Sequence, residues 1–103
     1  MSQEMEVARE EELQDGDRKS IVIDDDIPAL LIKAGGSYYC IEDVCTHDGQ
    51  PLTDGPVEDC EIECPRHGAK FDLKSGKATC MPATEPVRTF EVTTRDGAVF
   101  VAY

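Results

Sequence analysis

Two short segments near the middle of the chain each place a cysteine just ahead of a histidine. The first is Cys45-Thr46-His47 and the second is Cys64-Pro65-Arg66-His67, and the sequence contains no other histidine. A thiolate is a soft ligand that suits iron or zinc, and imidazole is a ligand that both metals accept. Two sulfurs and two nitrogens complete a four-ligand set, so the spacing predicts a metal site built from Cys45, His47, Cys64 and His67.

Each of these residues has an ordinary explanation when it is taken alone. A single cysteine is usually a small buried hydrophobe, and a single histidine is usually a core or surface residue with satisfied hydrogen bonds. The pairing of both histidines with cysteines, in turns that contain glycine and proline, is improbable by chance. The set as a whole therefore favours metal binding.

The mixed character of the two segments bears on which metal they bind. Common zinc sites take cysteines in pairs and histidines in pairs, so that each short segment supplies one type of ligand. Mixed segments suit two metals held side by side, because two parallel loops can then direct both sulfurs to one ion and both nitrogens to the other. A structural zinc module that binds another protein stays open as an alternative at this point.

Strand signals surround these ligand segments. Lys19 to Ile23 is a short β-branched run, and Gly35-Gly36 separates two apolar, aromatic-rich segments as in a β-hairpin. Asp96-Gly97 marks a second hairpin in the same way, and Arg9 to Asp17 is expected to form a short helical turn or a solvated loop. Strand signals at short intervals, without long helical periodicity, predict an all-β fold, an antiparallel β-sandwich or barrel.

The middle of the chain, from Asp43 to Pro82, is rich in glycine, proline, cysteine and aspartate. Within it, Cys60 to Glu63 is predicted to be the second strand of a short hairpin that brings the two ligand segments together. The remainder is expected to form loops on the flanking sheet, and loops held by a rigid sheet are where binding chemistry usually lies.

The length and charge of the chain limit what it can be. Its 103 residues are enough for one compact domain with a single core. Twenty-two acidic residues against ten basic ones give a formal net charge of −12, which repels phosphate backbones and anionic lipid. Nucleic acid and a membrane surface are therefore not expected as partners. A basic protein partner is expected instead, unless the charge serves solubility alone.

The sequence carries no signal for export or for membrane insertion. Its N-terminal residues lack a signal peptide, and no apolar run approaches the roughly 20 residues of a membrane span, so a soluble cytoplasmic protein is expected. Five cysteines in such a chain do not indicate a disulfide framework. For Cys40 and Cys60, each placed in a predicted strand, packing is a sufficient explanation.

The two ligand segments resemble those of a known family. CTH, followed after sixteen residues by CPRHGAKFD, resembles the Rieske [2Fe-2S] pattern, and the flanking hairpins are similar to those of small Rieske-type ferredoxins. The resemblance implies a single Rieske domain over residues 1–103, with a cluster-binding subdomain of two loops at about residues 43–82. It also implies one [2Fe-2S] cluster, with Cys45 and Cys64 on the inner iron and His47 and His67 on the outer iron.

Several positions depart from the high-potential members of this family. Those members join the two loops by a disulfide, where this chain has Gln50 and Arg66, and they carry hydroxyl donors where it has Ala69 and Phe71. Missing donors leave electron density on the sulfurs, and Asp48 adds negative charge beside a ligand. We therefore expect a reduction potential at the low end of the Rieske range, about −150 mV.

Three more residues are expected around the cluster. Gly68 is expected to let the backbone pass close to the cluster, or to serve only as an ordinary turn residue. Pro82 resembles the rigid element of the proline-bearing loop that covers the cluster in this family, and Cys80 is then expected near the site.

The function implied by the resemblance is that of a soluble, monomeric one-electron carrier and not of an enzyme. A flavin-dependent ferredoxin reductase would supply the electrons, and a terminal oxygenase or a similar oxidoreductase would receive them. With both histidines on the cluster, no oxygenase site of two histidines and one carboxylate remains. A small Rieske-like subunit of a larger enzyme, such as nitrite reductase, is an alternative, although such subunits often lack the ligands retained here.

Overall fold

Antiparallel strands account for nearly all of the regular structure. The computed structural model describes residues 3–46, 49–66 and 68–103. Within these ranges helical geometry is confined to a 3-10 turn at Glu10–Glu12, and no helix is long and apolar enough to cross a membrane. The predicted all-β antiparallel fold is confirmed. The strands are β1 (Glu4–Arg9), β2 (Arg18–Ile23), β3 (Ile27–Ala34), β4 (Ser37–Glu42), β5 (Val57–Glu58), β6 (Glu61–Glu63), β7 (Lys70–Asp72), β8 (Ala78–Cys80), β9 (Thr89–Phe90), β10 (Val92–Arg95) and β11 (Ala98–Ala102).

The strands form three sheets, which we call the terminal, central and small sheets. The terminal sheet has the order β1-β11-β10, the central sheet β2-β3-β4-β9 and the small sheet β5-β6-β7-β8. Glu91 alone separates β9 from β10, so the chain passes there from the central sheet into the terminal sheet. The segment between β4 and β9 carries the small sheet and both ligand segments.

The middle of β3 is buried on both faces of the central sheet, so this strand contributes to two cores. Leu30 and Ile32 lie in a core shared with the small sheet, whereas Ala29 and Leu31 lie in a core shared with the terminal sheet. Successive side chains of a strand point to opposite faces, so a strand that is covered on both sides needs an uninterrupted apolar run. The small sheet is therefore positioned by apolar packing against β3 and β4.

Both predicted hairpins are confirmed. Gly35-Gly36 joins β3 to β4, Asp96-Gly97 joins β10 to β11, and all four residues have φ between 54° and 81°. Two-residue turns with positive φ match the right-handed twist of the strands that they connect. The run Lys19 to Ile23 lies in β2. The segment Arg9 to Asp17, which was expected to form a short helical turn or a solvated loop, contains the 3-10 turn.

The N-terminal strand β1 was missed by the sequence reasoning. Met5 and Val7 alternate with the exposed Glu4 and Glu6, and β1 pairs with β11 at the edge of the terminal sheet. The period-two signal is present in these residues. It is obscured because Glu4 and Glu6, the polar residues that alternate with Met5 and Val7, are acids, a residue type that is depleted in strands.

The position predicted for Cys60 is wrong. Asp59 and Cys60 form the turn between β5 and β6, with φ of 54° and 63°, and the strand begins one residue later at Glu61. The pairing of Glu58 with Glu61 leaves Asp59 and Cys60 as a two-residue turn, and positive φ at both residues is the geometry of a type I′ turn. Cys60 is half-buried and still packs against the core of the small sheet.

Candidate metal centre

Cys45 and Cys64 lie in the same apolar core although they come from different loops. Both residues have no exposed surface, and both belong to the core that the small sheet shares with the central sheet. Leu52 and Ile62, which are also fully buried, are among the other members of this core. The structure thus brings together the two sulfur residues of the predicted ligand set.

The two loops that begin at these cysteines have the same pattern of backbone hydrogen bonds. The N–H of Cys45 donates to the carbonyl of Gln50 at 2.7 Å, and the N–H of Gly49 donates back to the carbonyl of Cys45 at 2.7 Å. In the second loop the N–H of Cys64 donates to the carbonyl of Ala69 at 2.6 Å, and the N–H of Gly68 donates to the carbonyl of Cys64 at 3.1 Å. The described residues of the two loops therefore have equivalent backbone hydrogen bonds.

A glycine occupies the same place in each loop. Gly49 and Gly68 both have φ of 77°, a conformation that residues with a side chain rarely adopt. A Cβ atom added at Gly68 would approach only Glu63 Oε2, at 3.9 Å, among the described atoms. The positive φ is sufficient to explain glycine at this position, and the expected close approach of the backbone to a cluster stays a prediction.

Three residues of the predicted site lie outside the described residues. They are His47 and Asp48 of the first loop and His67 of the second. In the sequence each histidine stands between the cysteine and the glycine of its own loop. The assignment of His47 and His67 as ligands, and of Asp48 as a neighbouring charge, remains a prediction.

Ala69 and Phe71 lie beneath the loops and have no exposed surface. Ala69 accepts the hydrogen bond that closes the second loop, and Phe71 lies in β7, opposite Ile62 of β6. Both belong to the core that contains the two cysteines, and neither side chain carries a hydrogen-bond donor. Both residues are predicted to lie beside the metal site, and the structure places them in one core with Cys45 and Cys64.

The segment that contains Pro82 is tied to the first loop. The hydroxyl of Thr46 donates to the carbonyl of Glu85 at 2.7 Å, and Ala83 is buried in the core of the two cysteines. Pro82 itself is half-buried. The sequence reasoning missed Thr46, because a hydroxyl that reaches a carbonyl 39 positions away leaves no local pattern.

Asp43 was also missed, and its carboxylate closes the base of the first loop. One oxygen accepts the N–H of Leu52 at 2.6 Å, and the other accepts the hydroxyl of Thr53. Asp43 directly follows β4, so this contact fastens the end of the loop to the central sheet. Short polar side chains that bond to loop backbone are common, but their partners cannot be chosen from sequence alone.

The cysteines Cys40 and Cys80 occupy contrasting environments. Cys40 is buried in the core between the central and terminal sheets, and this burial raises the pKa of its thiol to about 12. Packing therefore accounts for Cys40, as predicted. Cys80 ends β8 opposite Lys70 of β7 and is exposed.

Comparisons with known proteins agree on one family. A sequence profile of the Rieske [2Fe-2S] domain matches residues 3–91. The 3-phenylpropionate/cinnamic acid dioxygenase ferredoxin subunit of Photorhabdus laumondii subsp. laumondii is 37% identical over 92 residues, which cover 88% of this chain and 86% of the relative.

Solved structures with the same fold include two ferredoxins. One belongs to the complex of reduced oxygenase and oxidized ferredoxin in carbazole 1,9a-dioxygenase, with a TM-score of 0.90, 31% identity and coverage of 96% of this chain and 92% of that chain. The other is the Sphingomonas yanoikuyae B1 ferredoxin, with a TM-score of 0.89, 28% identity and coverage of 98% and 99%. The predicted Rieske-type fold is confirmed.

The contrast between Cys40 and Cys80 is testable by alkylation. Iodoacetamide at pH 8 reacts with thiolates, so the native protein is expected to be modified at Cys80 and to be protected at Cys40. Peptide mass spectrometry locates the label, and the same reaction in denaturant provides the control in which Cys40 also reacts. Labelling of native Cys40 at the rate of Cys80 would contradict its placement in the core.

Proposed function

We propose that this chain, which belongs to the Rieske [2Fe-2S] domain family, delivers electrons to the terminal oxygenase of a dioxygenase system. Its role as a ferredoxin, a carrier of electrons, is the premise of this proposal. We propose Cys45, His47, Cys64 and His67 as the ligands of one cluster. The observation that carries this assignment is the matched hydrogen bonding of two loops that each begin at a fully buried cysteine.

The described donor residues fit such a cluster. Thiolates bind iron strongly, and their burial in an apolar core excludes water from the sulfur side of the site. The chemistry that a bound Rieske cluster supplies is the reversible uptake of one electron, with two imidazoles in place of two thiolates. The chain contributes the ligands, the apolar core that buries Cys45 and Cys64, and the two loops that carry the ligands.

The electron acceptor follows by analogy with relatives. The relative from Photorhabdus laumondii is a dioxygenase ferredoxin subunit, and the carbazole 1,9a-dioxygenase ferredoxin is found in complex with its oxygenase. We propose that this chain is a monomeric carrier, which receives electrons from a flavin-dependent reductase and passes them to an oxygenase. We also propose a cytoplasmic location, because thiol ligands suit a reducing compartment.

The outer face of the small sheet is acidic, which supports the proposal of a basic protein partner. Glu58, Glu61 and Asp72 lie opposite one another across β5, β6 and β7, and Glu63 and Lys70 form the neighbouring pair. Like charges placed opposite one another in a sheet repel, so this row does not serve stability. A negative face on the sheet that carries the second ligand loop would attract a positively charged partner during encounter.

The ligand assignment is tested by electron paramagnetic resonance of the reduced protein. The wild type is expected to be red-brown and to give the rhombic signal of a Rieske cluster. Cys64→Ala is expected to abolish colour and signal, because it removes one iron ligand, whereas Cys40→Ala, the same change at an equally buried thiol, retains both. A colourless, EPR-silent wild type that contains zinc would favour the structural zinc module instead.

The reduction potential tests the surroundings of the cluster. Ala69 and Phe71 are both buried in its core and supply no hydroxyl, so we expect a midpoint at the low end of the Rieske range, about −150 mV. A redox titration followed by visible absorption measures it. A clearly positive midpoint would contradict this expectation.

The acidic face is tested by charge reversal. We expect the double variant Glu58→Lys with Glu61→Lys to slow electron transfer to cytochrome c, a basic one-electron acceptor, by about tenfold at low ionic strength. Glu6→Lys with Glu10→Lys makes the same change in net charge at exposed positions on β1 and the 3-10 turn. Stopped-flow absorption measures both, and equal rates for the two double variants would remove this face as the steering surface.

A further inference from the structure

We propose that Arg18 is a positioning residue for the metal centre, acting on both ligand loops through the segment Leu52–Gly55. The proposal rests on the assignment of Cys45 and Cys64 as ligands. Arg18 begins β2 at the edge of the central sheet, outside both ligand loops.

Arg18 forms two hydrogen bonds to the backbone of this segment. Its Nη1 atom donates to the carbonyl of Thr53 at 2.9 Å and to the carbonyl of Gly55 at 2.5 Å, and both bonds are partly buried. Hydrogen bonds from a charged donor are stronger than neutral ones, and a carbonyl that loses its donor in a buried place is costly. In the described parts of the chain no other basic side chain bonds to Leu52–Gly55.

At one end, the segment Leu52–Gly55 is fastened to the first loop. The N–H of Leu52 and the hydroxyl of Thr53 both donate to Asp43, the carboxylate that closes that loop. The side chain of Leu52 is fully buried in the core that holds Cys45. A displacement of the segment would therefore loosen the base of the first loop.

At its other end the same segment lies against the residue that precedes Cys64. A Cβ atom added at Gly55 would lie 2.1 Å from the carbonyl oxygen of Glu63, so the two backbones are in close contact. The N–H of Glu63 also donates to the carbonyl of Pro56 at 2.9 Å. The segment Leu52–Gly55 thus packs between the first loop and the start of the second loop. Arg18, on the central sheet, fixes its position by hydrogen bonds to two of its carbonyls.

The neighbouring residue Lys19 provides a matched control. Its ammonium group donates to the carbonyl of Val7 and to the carboxylate of Glu12, on β1 and the 3-10 turn. Lys19→Gln therefore removes the same charge from the same strand without touching the segment Leu52–Gly55. Any effect of net charge alone is shared by the two variants.

The experiment compares Arg18→Gln, Arg18→Lys and Lys19→Gln in the cluster-loaded protein. Amide hydrogen exchange at Leu52, Gly55 and Cys64 is expected to accelerate by about tenfold in Arg18→Gln, because at least one charged hydrogen bond is lost. The EPR lines of the reduced protein are expected to broaden, because the ligand loops sample a wider range of geometries. Arg18→Lys, which keeps a cationic donor, is expected to restore part of both properties.

Several outcomes would overturn the proposal. If Arg18→Gln and Lys19→Gln show the same exchange at these amides and the same line widths, Arg18 does not position the loops. Faster exchange with unchanged EPR lines would reduce Arg18 to a stabilising residue. Should Arg18→Gln fail to fold, line widths in Arg18→Lys identical to those of the wild type would likewise reject the proposal. A wild type without any Rieske signal would instead reject the ligand assignment, while the exchange comparison would remain interpretable.

Discussion

The burial of Cys45 and Cys64 in one apolar core is the constraint on which the rest of the structure depends. Loops normally lie on the surface, because their backbone polar groups need water or other partners. Here each loop begins at a buried cysteine, and two hydrogen bonds join the described backbone of each loop internally: one from the cysteine N–H, and one from the glycine N–H to the cysteine carbonyl. The equivalence of the two loops follows from this shared requirement.

The same constraint explains the central sheet. The core that contains the two cysteines needs apolar side chains from the central sheet, and one face of β3 and β4 supplies them. The side chains on the other face of the same two strands belong to the second core. Leu30, Ile32 and Ile41 lie under the loops, whereas Leu31 and Cys40 face the terminal sheet. The terminal sheet thus covers the far side of a layer whose near side carries the proposed metal centre.

Local sequence patterns predicted the hairpins and the metal site, but they could not predict contacts between residues that are distant in the sequence. The hairpins at Gly35-Gly36 and Asp96-Gly97 were predictable because turn chemistry is local. The cysteine and histidine spacing indicated the metal site for the same reason. The contacts of Arg18, Asp43 and Thr46 could not be predicted, since each joins a side chain to a backbone atom whose position depends on the folded loops. Cys60 was misplaced by one residue because strand ends depend on register.

We propose that Cys45, His47, Cys64 and His67 hold a single cluster. Because His47 and His67 are the only histidines in the chain, labelling all histidine with nitrogen-15 labels only the two proposed ligands. Pulsed EPR of the reduced, labelled protein is the direct measurement. The account predicts two strongly coupled nitrogen-15 nuclei in place of the nitrogen-14 couplings of the unlabelled protein. A spectrum that does not change on labelling would contradict it.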